Sequence, residues 1–246
     1  MTPFEPAPLP DCPICAGEGY QISIVGEYAN AKICSCVPNC ERCNGYGIHV
    51  VKQNGISRSG RCRCQKLPDR IQLFNLSRVP ARHGKNSIGS FNHQSRASSL
   101  AVTDLSKWLG RFTTQKEDKG FIFAGPVGTG KTHLLIGAVK LLIFNHGLRV
   151  RFVEFSRLLS SLRDGYSKGL SDSQMLSELV AIPILAIDEL GKGRVSDWEL
   201  TIVDELISRR YNAMKPIIGT TNYCWQQAQG NTVPNLSTMN YGDIAL

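Results

Sequence analysis

Eight of the nine cysteines and one glycine-rich stretch carry most of the chemistry that this 246-residue chain offers. The stretch from Phe121 to Thr132 reads FIFAGPVGTGKT and fits G-x-x-x-x-G-K-[ST] at every required position. A loop of this kind is expected to cradle phosphates. Gly125, Gly128 and Gly130 let the backbone curl so that successive N–H groups point inward, Lys131 reaches the outer phosphates, and the Thr132 hydroxyl is placed to hold Mg²⁺. The expected nucleotide-binding set is therefore Gly125, Pro126, Val127, Gly128, Thr129, Gly130, Lys131, Thr132 and His133, with ATP and Mg²⁺ as cofactors.

Two acids, Asp188 and Glu189, follow the continuous apolar run Ile184 to Ile187. Adjacent carboxylates at the carboxyl end of a buried strand suit ATP hydrolysis: Asp188 can hold the Mg²⁺ shell while Glu189 orients and polarises the attacking water. Alone, such a pair would read as helix-capping acids. The phosphate loop upstream gives them a substrate. A later apolar strand ends in Thr220-Thr221-Asn222, and Asn222 is the candidate polar group for sensing the γ-phosphate or the attacking water. Lys131, Glu189 and Asn222 thus form the expected catalytic set.

The cysteines form a duplicated unit. Residues Cys12 to Cys36 read CPICAGEGYQISIVGEYANAKICSC, and Cys40 to Cys64 read CERCNGYGIHVVKQNGISRSGRCRC. Each copy is C-x-x-C-x-G-x-G, a hairpin pattern with first strands at Tyr20–Val25 and Ile48–Val51, and then C-x-C. A C-x-x-C turn holds two thiolates on one side of a knuckle, and a hairpin can return a second pair to complete a tetrahedral Zn²⁺ site. Two zinc ions are expected, Cys12, Cys15, Cys34 and Cys36 holding one and Cys40, Cys43, Cys62 and Cys64 the other, with a crossed pairing between copies as the alternative. Closed sites of four thiolates are structural, and segments this short need the metal to fold. A redox-active C-x-x-C competes with this reading but does not explain the doubled register. Cys224 is expected to be a packed thiol. The C-x-x-C-x-G-x-G units resemble the cysteine-rich region of DnaJ-type co-chaperones, which also binds zinc, and zinc binding is all that this resemblance implies.

Positioning these groups takes an α/β architecture. After the loop come an apolar helix from Thr132 to Asn145, a strand at Val150–Phe155, a helix from Ser156 through Arg163, a helix capped by Ser171 or Asp172, the acid-bearing strand, a helix from Asp197 to Met214 and a strand at Ile217–Thr220. Strands alternating with helices imply a parallel sheet covered on both faces. Residues 1–66 form the zinc-binding hairpin region, 67–119 a basic linker with one amphipathic helix over 98–112, and 120–246 the nucleotide domain. In the linker, Phe74, Leu76, Val79, Ile88 and Phe91 are expected to anchor onto the nucleotide domain.

The net charge of +8 is unevenly placed, with fourteen Lys/Arg against four Asp/Glu between Lys52 and Lys119, and twelve against eleven from Gly120 onward. Such an excess suits nucleic acid or an acidic protein face, or is a solvated linker. Neither a membrane span nor an export signal is evident in the sequence, so a cytoplasmic location without membrane partners is expected. Thiols in that compartment stay reduced, which favours metal over disulfides.

From about Arg78 to Tyr223 the chain resembles the AAA+ ATPases of the DnaC/DnaI helicase-loader and IstB group, through GPVGTGKTHLL at 125–135, RVRFVEFSRLLSSLRDGY at 149–166, ILAIDELGKGRVSDWEL at 184–200 and ISRRYNAMKPIIGTTNY at 207–223. The resemblance implies a parallel-sheet P-loop AAA+ domain in which Lys131 and Thr132 are the Walker A residues, Asp188 and Glu189 the Walker B pair, and Asn222 the sensor. It implies an ATP-dependent helicase loader acting on a replicative helicase and single-stranded DNA, self-associating, with the zinc region contacting the helicase. The alternatives are an IstB-like transposition ATPase on double-stranded DNA and a nucleotide-switched binding protein with little hydrolysis. Members of the group carry an arginine finger and a sensor arginine beyond the sensor strand, whereas no arginine follows Arg210 here. Slow turnover is the resulting expectation, with Arg209 or Arg210 as substitutes for the finger.

Overall fold

The computed structural model describes residues 6–53, 56–92, 95–115, 119–192, 196–223 and 243–245. Cys224 and the segment after Tyr223 up to residue 242 lie outside the described residues. The chain divides into two compact units, Met1–Lys85 and Asn86–Leu246.

The first unit contains two antiparallel hairpins, β1 (Tyr20–Val25) with β2 (Tyr28–Ile33), and β3 (Ile48–Gln53) with β4 (Ile56–Arg61). Their registers are the same after a shift of 28 residues: Tyr20 faces Ile33 and Ile22 faces Ala31, as Ile48 faces Arg61 and Val50 faces Ser59. The duplication in the sequence is a duplication in space.

Part of the segment expected to be linker is helix α1, Lys66–Ser77, which packs on β2 within the first unit. It buries Ile71, Phe74 and Ser77, and Asn75 brackets Ala31 by accepting from its N–H at 2.6 Å and donating to its carbonyl at 3.1 Å. Arg78, at φ 59°, ends the helix in a left-handed conformation, and the chain returns to the hairpin through Ala29 N–H to Val79 O (2.8 Å) and Ala81 N–H to Glu27 O (2.9 Å). Phe74 and Val79 are therefore core residues of the first unit, whereas Leu76 is exposed. The reason is complementarity: the apolar pair Ile71 and Phe74 covers the face of the first hairpin that carries Ala29 and Ala31, and Asn75 bonds that strand's backbone.

The second unit is the expected α/β layer. Helix α2 (Arg96–Gln115) precedes β5 (Phe121–Ala124), and α3 (Lys131–Phe144), β6 (Val150–Glu154), α4 (Phe155–Ser167), α5 (Asp172–Ala181), β7 (Ile184–Asp188), α6 (Asp197–Asn212) and β8 (Ile217–Thr221) follow. The strands are parallel in the order β6-β7-β8-β5, and the backbone of β9 (Asp243–Ala245) pairs with the far side of β5. Every residue of β7 is buried, as a strand covered on both faces requires. Leu185 and Ile187 pack with Phe155, Leu158 and Leu162 of α4, Leu176 of α5 and Ile202 and Leu206 of α6. Helix α3 contacts β5, β6, β7 and β8 and is apolar nearly all round, which suits its burial. Ser171 caps α5 and Ser196 caps α6, each in a reciprocal capping box with the residue three positions on.

Candidate functional site

The topology puts β8 between the strand that feeds the phosphate loop and the strand that ends in the acids. The tip of β8 therefore lies beside both, and the bonds formed there assemble the site. Gly125 N–H donates to Thr221 O at 3.3 Å, and Leu190 N–H donates to Thr220 O at 2.7 Å.

Lys131 is buried at the start of α3, and its ammonium donates to the carbonyls of Gly125 (2.8 Å) and Pro126 (2.7 Å). Thr129 Oγ1 donates to Pro126 O at 3.0 Å, which holds the loop's bend, while Val127 at its crest is exposed. Gly130 has φ 87°, and a Cβ there would lie 2.5 Å from the Phe91 ring, so both the conformation and the space demand glycine. Phe91 belongs to a short segment at Ser87–Phe91 whose helical turn, Ile88–Ser90, is closed by Ser87. His133 points to that segment: its Nε2 lies 2.8 Å from Ser87 O and 3.1 Å from Ser90 Oγ, and its ring meets Phe91 edge-on at 5.5 Å. Among the loop residues expected to bind nucleotide, the His133 side chain thus fixes the segment before the sheet, while its backbone N–H stays in the first turn of α3.

Asp188 is 2% exposed, and its carboxylate accepts from Thr132 Oγ1 at 3.0 and 3.2 Å and from Thr220 Oγ1 at 2.6 Å. Thr220 Oγ1 in turn accepts the Glu189 N–H at 2.8 Å. One buried hydroxyl therefore spans both acids. Glu189 adopts φ 56°, a left-handed conformation that is costly for a side chain with Cβ and persists only where neighbours hold it. Its carboxylate is paired with Lys192 Nζ at 2.8 and 2.9 Å, in an exposed ion pair of the weak class. Asn222 lies one residue past β8, half-buried, with no hydrogen-bond partner among the described residues. The residue that sequence reasoning missed is Thr220; the Thr-Thr-Asn run signalled a polar strand tip without saying which member faces the acids.

The two arginines considered as substitutes for the finger have other work. Arg210 is 0% exposed, and its guanidinium donates to the carbonyls of Leu179, Ile182 (2.9 Å), Pro183 (3.2 Å) and Pro216 (2.9 Å). Burial lowers its pKa to about 10, which leaves it charged at neutral pH and suited to the carbonyl end of α5. Such a clamp cannot reach another subunit's phosphate. Arg209 pairs with Glu205 on its own helix at 3.3 Å.

In the first unit the cysteines form two clusters, Cys12, Cys15, Cys34 and Cys36, and Cys40, Cys43, Cys62 and Cys64. The uncrossed pairing is the one the fold brings together. Sulfur pairs stand 3.8 Å (Cys12–Cys34), 3.4 Å (Cys15–Cys36), 3.7 Å (Cys40–Cys62) and 3.5 Å (Cys43–Cys64) apart. A tetrahedron with Zn–S of about 2.3 Å has sulfurs about 3.8 Å apart, so the cradles fit zinc, and they are too wide for S–S bonds of about 2.05 Å. Donors surround them: Gln21 Nε2 lies 3.3 Å from Cys34 Sγ and Gly47 N–H 3.3 Å from Cys43 Sγ. The Cys36 backbone N–H, then Gln21, bring Cys34 down to about 6. At Cys43 burial acts upward but is outweighed by the Gly47 N–H and neighbouring thiols, which bring it to about 7. Burial, with neighbouring thiols second, pushes Cys64 up to about 12, and burial does the same to Cys36. Four thiols that cannot all ionise beside one another are what a dication resolves.

A family model described as "IstB-like ATP binding protein" matches residues 49–233, 185 of the 246 residues. The replicative helicase loader DnaC of Escherichia coli (strain K12) is 26% identical over 173 residues, which span 70% of this chain and 69% of that protein. Protein XkdC of the phage-like element PBSX of Bacillus subtilis (strain 168) is 25% identical over 191 residues, 73% of this chain and 70% of that one. Among solved structures, that of the DnaC helicase loader is 29% identical with a TM-score of 0.54, covering 60% of this chain and 82% of its own. The structure of DnaI, 19% identical with a TM-score of 0.53 and covering 61% and 78%, shares the fold. No helix among the described residues is long and apolar enough to cross a membrane.

Proposed function

The chain belongs to the IstB-like ATP-binding proteins, AAA+ proteins expected to hydrolyse ATP, and we propose that within them it is a helicase loader. In this reading the nucleotide domain binds ATP and single-stranded DNA and self-associates, and the zinc-bearing unit grips a replicative helicase. The observation that carries it is the separation of the chain into an ATPase unit and a second compact unit built on two four-cysteine cradles. A dedicated module of this kind serves a partner, because the nucleotide site is complete without it.

The residues fit the chemistry. Bound ATP with Mg²⁺ supplies the scissile phosphoanhydride and the charge that offsets its cleavage. Lys131 leaves its two loop carbonyls for the outer phosphates, and the N–H groups from Gly128 to Thr132 orient them. Thr132 and Asp188, 3.0 Å apart, would hold Mg²⁺, which would neutralise charge developing on the phosphates. Glu189 orients the attacking water and takes its proton, a role that requires its carboxylate to leave Lys192. That release costs little, since exposed ion pairs contribute only about 0–1 kcal/mol. Asn222, at the mouth of the site, contacts the γ-phosphate or the water, while Thr220 holds the two acids in register. The proposed domain division moves the boundary to Lys85, with α1 as part of the zinc-bearing unit.

The test is a pull-down of the host's replicative helicase by the full chain and by residues 86–246, with ATP binding by both as the check on folding. Capture by the full chain alone supports the loader. Capture by neither, with double-stranded DNA retained by both, moves the assignment to transposition, the second reading that the family match favours.

A further inference from the structure

The two zinc units share one backbone register, so each position in one has a counterpart 28 residues away in the other. In the first copy the face formed by Tyr20, Ile22, Ala29 and Ala31 is covered by α1 and by the turn at Ala81–Gly84: Tyr20 is 7% exposed, and a Cβ at Gly84 would fall 2.7 Å from Ala29 and 2.9 Å from Ile22. The counterpart face of the second copy is open, with Ile48 59% exposed and Val50 exposed beside it. The residues there have also changed character. Tyr46 stands where the first copy has Glu18, Lys52 where it has Ile24, Arg61 where it has Ile33, and Ser57 and Ser59 where it has Ala29 and Ala31. The first copy, Cys12 to Cys36, holds one basic and two acidic residues; the second, Cys40 to Cys64, holds five and one, and all five are exposed.

We propose that the open face of the second zinc hairpin binds single-stranded DNA, with Tyr46 as the stacking platform and Lys52 as a phosphate contact, joined by Arg61 when it exchanges its exposed ion pair with Asp69 for a phosphate. An exposed apolar face alone would admit any partner. An excess of positive charge on a hairpin that also presents an exposed aromatic ring selects a polyanion with flat apolar rings, since bases stack on such a ring whatever their sequence while cations follow the backbone. Tyr46 is 85% exposed yet held firmly: its N–H donates to Cys43 O at 2.9 Å, and Gly45 (φ 85°) and Gly47 (φ 73°) flank it in conformations that fix the knuckle. Beside it an open groove of about 470 Å³ is lined by Tyr46, Ile48, Ser59, Arg61 and Gln65. Lys52 and Arg61 lie on the same face as Ile48 and Val50, because opposed residues of an antiparallel pair share a face. This contact is separate from any DNA contact of the ATPase unit and stands whether or not a helicase is the protein partner. Only the choice of DNA over RNA rests on the replication reading.

The experiment measures binding of the zinc-loaded full chain, without nucleotide, to labelled oligothymidine by fluorescence anisotropy across a salt series. Tyr46→Ala is expected to weaken binding roughly 5- to 100-fold. Lys52→Ala is expected to lower the slope of log K against log salt by about 0.7. Lys32→Ala on the first copy is expected to leave both unchanged. Zinc content equal to wild type shows that each variant has folded. Wild-type affinity and slope in both Tyr46→Ala and Lys52→Ala would overturn the proposal. So would tighter binding of oligouridine than oligothymidine, or loss of helicase capture with DNA binding intact, which would make the face a protein surface.

Discussion

Replacing Thr220 by valine keeps the shape of the side chain and removes the one hydroxyl that spans both acids. Two bonds go: the 2.6 Å donation to the buried Asp188 carboxylate and the 2.8 Å acceptance from the Glu189 N–H. A bond to a charged group contributes about 1.5–3 kcal/mol, and an unpaired buried N–H costs about 1–3 kcal/mol. The two share one oxygen and are not additive, so the expected loss is about 2–4 kcal/mol, or roughly 4–16 °C in the melting of a domain this size. Catalysis should suffer in a particular way. Glu189 holds its left-handed backbone partly through this bond, so its carboxylate loses its aim at the water while the phosphate loop is untouched. The expected result is a fall in kcat of about tenfold or more with ATP affinity within about threefold of wild type. Phosphate release and fluorescent-nucleotide binding measure the two separately. Thr220→Ser, which keeps the hydroxyl, should recover most of both losses. Valine with wild-type kcat and melting temperature, or serine as damaging as valine, would refute the role given to this residue.

The buried clamp at Arg210 predicts that Arg210→Met strands four backbone carbonyls at the junction of α5, β7 and β8, with a loss of about 3–5 kcal/mol in denaturant unfolding that Arg210→Lys does not restore, since an ammonium cannot span the fork. Glu199 is buried at the start of α6, and the Ser196 backbone N–H first, then the Ser196 hydroxyl and Arg163, hold its pKa below the ordinary 4.5 against the upward push of burial. Its folded pKa being depressed, its contribution is fully present above pH 4.5 and is lost as pH falls through the lowered value; the stability gap between wild type and Glu199→Gln should narrow over that acid range. Metal analysis should find two zinc ions per chain. Protons compete for the thiolates, so chelation or acidification should release zinc and unfold the hairpins, and zinc rebinding at neutral pH should liberate protons from the cysteine thiols. Zinc retained with Cys36→Ser and Cys64→Ser both at wild-type affinity would contradict the cradles.

What the sequence made legible was whatever repeats or sits in fixed spacing. The cysteine pairs, the phosphate loop and the acid pair each require particular residue types at short range, so residue identity alone located them; the uncrossed grouping of the cysteines follows from the two hairpins. The alternation of apolar runs also sufficed for the sheet, with Ser171 rather than Asp172 proving to be the cap of α5. Helix α1 escaped because it buries only Ile71, Phe74 and Ser77, too thin a stripe to stand out against its charged neighbours, and its stability comes from Asn75 and the hairpin instead. The case of Thr220 is of another kind. Three consecutive polar residues at a strand end can each point at the site, and which one does is decided by the sliding of β8 against β7. With Ile187 opposite Gly219, Thr220 falls level with the carboxyl end of β7, directly beside Asp188, and Asn222 is carried past the strand. Register between strands distant in sequence is set by the packing of whole layers, so the chemistry of the tip depends on contacts made by Ile217 and Ile218 in the core below it.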